Sequence, residues 1–99
     1  MSEIVFLTDA LTDVENAAEW YTEKQAGLGI EYKEAVFTTI EKLRSVTIKH
    51  KVTHRGLCRI IVKRFPYLVY FKPMPRNKQI IVYAVLHMKQ SKSILSKRK

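Results

Sequence analysis

Leu57-Cys58-Arg59-Ile60-Ile61-Val62-Lys63-Arg64, Tyr67-Leu68-Val69-Tyr70-Phe71-Lys72 and Ile80-Ile81-Val82-Tyr83-Ala84-Val85-Leu86-His87 follow one another with only short breaks. In the first stretch Cys58, Ile60 and Val62 alternate with Arg59, Ile61 and Lys63, the period of two expected of a half-buried strand. Phe65-Pro66 interrupts that run before Tyr67 resumes it. Pro73-Met74-Pro75-Arg76-Asn77-Lys78 is polar and proline-rich, a composition suited to a hairpin loop. The third stretch is apolar on both faces, as expected of a central strand covered on both sides.

Upstream, Glu3 to Thr8 reads as a short opening strand rich in Ile, Val and Phe. Asp9 or Thr12 can cap a helix, and Thr12 with Glu15 has the capping-box spacing. Leu11, Val14, Ala18 and Tyr21 share one face of that helix, which Gly27 and Gly29 end. A second helix is expected from Ile30 to Arg44, with Tyr32, Val36, Ile40 and Leu43 as its apolar stripe. The short glycine-rich turn between the two helices predicts an antiparallel hairpin. Ser45 to Arg55 reads as a basic loop. Its His50 and His54 stand four apart but lack further metal ligands. The order strand, helix, helix, strand, strand, strand predicts an α+β fold, a helical hairpin packed on one face of a mainly antiparallel sheet. The other face, with Arg59, Lys63 and Lys72, is expected to be open and basic, and Met88 to Lys99 to form a loosely ordered basic tail.

Charge gives the chain a direction. All nine acids lie at or before Glu41, and the following 58 residues contain none. Residues 1–50 carry a net −4, and residues 51–99 a net +13. A field so divided favours a polyanionic partner for the second half: nucleic acid, a machine that carries it, or an acidic protein segment. At 99 residues the chain is expected to be a single domain, residues 1–99, able to bury roughly 65% of its unfolded surface. The lone Cys58 cannot form an internal disulfide and sits on a strand as a small core residue. Met1-Ser2-Glu3-Ile4 lacks the charged and apolar regions of a secretory signal. The longest apolar run, Ile80 to Leu86, is far short of a membrane span. A cytoplasmic protein without membrane partner, metal or cofactor is expected.

Arg59 to Phe71, with its Lys63-Arg64-Phe65-Pro66-Tyr67 block, and Ile81 to His87 together resemble the RelE/ParE toxin superfamily. Ala18-Glu19-Trp20-Tyr21 and Gly27-Leu28-Gly29 resemble its ParE branch, and the likeness runs from Ile4 to about Lys92. The resemblance implies the toxin of a type II toxin–antitoxin, plasmid-stabilisation-type system, held by a cognate acidic antitoxin in a hetero-oligomer. Two mechanisms live on the fold. RelE-type members cut mRNA on the ribosome, whereas ParE-type members poison DNA gyrase and are not hydrolases.

Strand cleavage by a 2′-OH needs a base, a leaving-group acid and cations around the developing charge. RelE-type members are implied to supply these from Lys and Arg on the sheet and a C-terminal Tyr or His. Here Arg59, His87 and Lys89 are the candidate catalytic residues under that alternative, with Lys63 in the working set. However, Ile61 is apolar, Tyr67 falls on or near an expected Arg, Lys89 replaces an Arg, and Leu95 falls where a Tyr is expected. The resemblance therefore points to DNA gyrase as target, with ribosome-bound mRNA, or a decayed non-toxic binding module, as alternatives. Arg59, Lys63, Arg64 and Lys89 are the candidate target- or nucleic-acid-binding residues, and Trp20, Tyr21 and Tyr67 the candidate antitoxin-binding residues.

Overall fold

The computed structural model describes residues 2–45 and 56–98, so the basic segment with His50 and His54 lies outside the described residues. The elements are β1 (Glu3–Phe6), α1 (Thr8–Lys24), α2 (Leu28–Ser45), β2 (Cys58–Ile61), β3 (Tyr67–Met74), β4 (Gln79–His87) and α3 (Ser91–Lys97), with a short 3-10 turn at Pro75–Asn77 between β3 and β4. The sheet runs β1-β4-β3-β2. β1 lies parallel to β4, with Ile4 beside Ile80, and the other pairings are antiparallel. This is the α+β architecture expected, with one further helix.

The hairpin forms because two apolar stripes meet across a turn that only glycine relaxes. Gly27 has φ +86°, a left-handed conformation that ends α1 without Cβ strain. Gly29, expected in the turn, instead lies inside α2, where a side chain would overlap Ala18 O and Thr22 Oγ1 of α1. The helices therefore touch backbone to backbone at this point. The α2 stripe is as expected: Tyr32, Val36, Ile40 and Leu43 are all buried. The α1 stripe differs, with Ala10, Val14, Ala17 and Ala18 buried and Leu11 44% exposed. Neither Asp9 nor Thr12 caps α1. The helix starts directly after extended Leu7, which leaves Asp9 in the first turn, where a carboxylate favours the positive end of the helix dipole.

The helices cover one face of the sheet, burying Val69, Val82 and Val85 with their own stripes. One irregularity in β4 then changes which side chains point where. Tyr70 pairs with Ala84 but Phe71 pairs with Val82, so Tyr83 is the extra residue of a bulge. Val82 faces the helices, and after the bulge Ala84 and Leu86 face away from them.

That opposite face is not the open basic surface expected. Leu68, Tyr70, Ala84 and Leu86 are buried there beneath Leu57 and Leu95. Leu95 belongs to α3, so the tail expected to be loosely ordered is a docked helix. Among the described residues, no helix is long and apolar enough to cross a membrane.

Candidate functional site

The alternation in β2 sends Cys58 and Ile60 toward the helices and Arg59 and Ile61 outward. The chain leaving β4 folds back beside them. Met88 N–H donates to Pro66 O at 2.9 Å, Gln90 N–H to His87 O at 3.0 Å, and Ser91 Oγ to Met88 O at 3.4 Å. These bonds set Met88, Lys89 and Lys92 across from Arg59 and Ile61. The result is a cleft of about 310 Å³, floored by Ile61, Leu68 and Met88 and rimmed by Arg59, Lys89 and Lys92, with no carboxylate in its lining. Ile61 is 60% exposed, an apolar side chain held in water among three cations. Chemically the cleft suits an anion that also carries an apolar group.

Two of the expected basic residues, Arg59 and Lys89, are thus brought together, and Lys92 joins them. Lys63 and Arg64 are not in the cleft lining. Arg64 holds φ +78° in the turn after β2 and reaches Glu31 of α2 at 3.4 Å, so it turns toward the hairpin. His87 also stands apart. Its Cα partner is Tyr67, their rings meet edge to face at 5.3 Å, and its Nδ1 accepts the Lys89 N–H at 3.1 Å. The three residues of the ribonuclease alternative therefore do not form one constellation. His87 faces an aromatic cluster, whereas Arg59 and Lys89 face the cleft.

That cluster gathers Tyr21, Tyr32, Phe65 and Tyr67. The rings of Tyr21 and Tyr67 lie 6.1 Å apart, centroid to centroid. Burial pushes the Tyr67 hydroxyl up to about 12, helped by Tyr21, and burial raises Tyr21 as well. Tyr32 is fully buried and raised furthest, first by burial and then by Tyr67, Tyr21 and Asp13. Its hydroxyl has no partner among the described residues. Of the three candidate antitoxin contacts, Tyr21 and Tyr67 belong to this cluster and Trp20 is its exposed rim. Trp20 is 52% exposed, lies edge-on to Tyr21 at 5.0 Å and carries Lys24 over its ring at 5.0 Å.

Sequence reasoning missed a pair that organises the cleft from a distance. Asp13, with 10% of its side chain exposed, accepts two bonds from Arg98, at 2.6 and 2.8 Å, and the Val85 N–H at 3.0 Å. It ties α1 to β4 and to the end of α3. A signal existed: Asp13 falls three residues after buried Ala10 and four before buried Ala17, on the inward side of α1. Among the described residues, no group of three or more His, Cys, Asp or Glu gathers as metal ligands would.

The chain thus joins a helical hairpin and a four-stranded sheet to a basic cleft beside its last helix. The model of the ParE toxin of the type II toxin–antitoxin system parDE matches residues 4–92, and the chain belongs to that family. Among solved structures, the chromosomal ParDE toxin–antitoxin system from P. aeruginosa is similar, with a TM-score of 0.77 at 13% identity over 88% of this chain and 96% of that one. The isolated E. coli RelE toxin is also similar, with a TM-score of 0.57 at 13% identity over 99% of this chain and 100% of the other. No curated protein matches the sequence.

Proposed function

We propose that this ParE-family toxin acts on DNA gyrase as a poison, is not itself a hydrolase, and is neutralised by a cognate acidic antitoxin in a hetero-oligomer. The observation that carries this reading is the position of His87. A phosphodiester bound in the cleft meets Arg59, Lys89 and Lys92, which stabilise charge, and the lining holds neither a His nor a carboxylate to take the 2′-OH proton. His87 is engaged through Nδ1 and meets the Tyr67 ring edge to face. Leu95, at the place where the resemblance implies a tyrosine in ribonucleolytic relatives, is buried in the outer cluster. The cleft's cations then serve binding, to an enzyme that itself holds DNA.

Short induction without antitoxin, with pulse labels for DNA and protein synthesis, tests the reading. DNA synthesis is expected to fall first, and purified protein to alter gyrase supercoiling or cleavage. Early loss of translation, abolished by His87→Ala, assigns the chain to mRNA cleavage instead. A chain that leaves growth unchanged is a binding module without toxicity.

A further inference from the structure

The corner between β4 and α3 is built around one side chain. His87 O accepts the Gln90 N–H at 3.0 Å, and His87 Nδ1 accepts the Lys89 N–H at 3.1 Å. Met88 is tied on both sides, its N–H to Pro66 O at 2.9 Å and its carbonyl to the Ser91 hydroxyl at 3.4 Å. Ser91 is 3% exposed and opens α3. Every residue from Met88 to Ser91 is thereby bonded at the corner, and two of those bonds end on His87.

A basic sequence does not take this path unaided. Lys89 and Lys92 come beside Arg59 in a cleft whose lining holds no carboxylate, and like charges so gathered repel. The Lys89 backbone has to be held against that repulsion. Asparagine and aspartate make such a turn, the oxygen on Cγ accepting the N–H two residues on. His87 makes it with Nδ1, which is likewise attached to Cγ. An imidazole accepts there only when it is neutral and carries its proton on Nε2. Tyr67, the partner of His87 across the β3–β4 ladder, meets the ring edge to face at 5.3 Å and restrains its rotation.

We propose that His87 is a positioning residue. Through Nδ1 it holds the corner between β4 and α3, and with it Lys89 and Lys92 at the rim of the cleft, and it transfers no proton itself. That the cleft engages gyrase rests on the function proposed above, whereas the positioning does not.

Two amide side chains separate this role from simple packing on Tyr67. Asparagine places Oδ1 where Nδ1 stands, whereas glutamine, nearer to histidine in bulk, reaches only the place of Nε2. Packing alone therefore ranks His87→Gln at or above His87→Asn, and positioning ranks them the other way. NMR of the isotope-labelled full chain at about pH 8, where an ordinary imidazole is neutral, reads the corner directly. The His87 ring is expected to carry its proton on Nε2. The Lys89 amide is expected to exchange about fivefold more slowly in the wild type and His87→Asn than in His87→Gln and His87→Ala. Unchanged amide shifts in α2 show that each variant is folded. Inhibition of gyrase by the same proteins is expected to follow the same order, His87→Gln and His87→Ala needing about fivefold more protein. A proton on Nδ1, or His87→Gln matching His87→Asn in both measurements, overturns the proposal. Cleavage of ribosome-bound mRNA by the wild type that His87→Asn lacks assigns His87 to the chemistry and overturns the gyrase reading as well. A wild type without effect on gyrase, whose Lys89 amide still follows the asparagine-over-glutamine order, defeats that reading alone and leaves the positioning role standing.

Discussion

The two faces of the sheet are closed by unequal means. On the inner face, helices of 17 and 18 residues bring Ala10, Val14, Tyr32, Val36 and Ile40 onto Val69, Val82 and Val85. On the outer face, one helix of seven residues lays Leu95 and part of Ile94 over Leu68, Tyr70, Ala84 and Leu86. A helix so short has little stability of its own, so α3 is held by that contact and by Arg98 on Asp13. The inner layer carries the fold, and the outer layer is an attachment that positions Lys89 and Lys92. Perturbations on the two sides should differ in kind as well as size.

The largest effect is expected from Gly29→Val. The added side chain meets the Ala18 carbonyl, a backbone atom that cannot step aside, so the whole hairpin must shift. A loss of about 3 kcal/mol is expected, read as a lower urea midpoint in one cooperative transition. Gly27→Ala is the control, because a methyl there meets nothing and only its left-handed backbone resists. Equal costs at both sites would show that the close approach of the helices is not what Gly29 provides.

Asp13→Ala comes next. It leaves the Arg98 guanidinium without its carboxylate and the Val85 N–H without its acceptor, and about 2–3 kcal/mol is expected. The distribution of the damage decides the comparison. Amides of α3 should exchange readily at little denaturant while those of α2 stay protected. Uniform loss of protection would mean that the two layers are one cooperative unit.

How much of this was legible in the sequence follows from pattern length. The strands announced themselves through the Arg59/Ile61 alternation, and α2 through four apolar residues at helical spacing. The outer layer did not, because α3 offers only Ile94 and Leu95 among lysines and serines, a pattern no different from a solvated tail. The bulge at Tyr83 was hidden for a related reason. Ile80 to Leu86 is apolar throughout, so a change of parity leaves no mark. For the site, Arg59 and Lys89 could be named from residue type and strand position. Lys92 could not be placed without α3, and the separation of His87 from them depends on which way one strand end faces.

The smallest expected effect tests the inner layer where it is least hydrophobic. Tyr32, Tyr21 and Tyr67 all have hydroxyls raised by burial, Tyr67 to about 12 against an ordinary 10. A raised tyrosine favours its neutral form in the folded state. That stability is complete below pH 10 and is lost as pH climbs through the folded value, so unfolding should set in above about pH 10. Arg98, raised above its ordinary value first by its bonds to Asp13, keeps its charge through that window. Alkali should therefore loosen the inner layer while the attachment of α3 persists, the reverse of Asp13→Ala. Tyr32→Phe isolates the cause. It removes a buried hydroxyl that has no partner among the described residues, so stability at neutral pH should hold or rise by about 1 kcal/mol. The alkaline transition should move upward, since the most strongly raised of the three groups is gone. A variant less stable at pH 7 would mean that the hydroxyl does have a partner, and an unmoved alkaline transition would assign the pH dependence to Tyr21 and Tyr67.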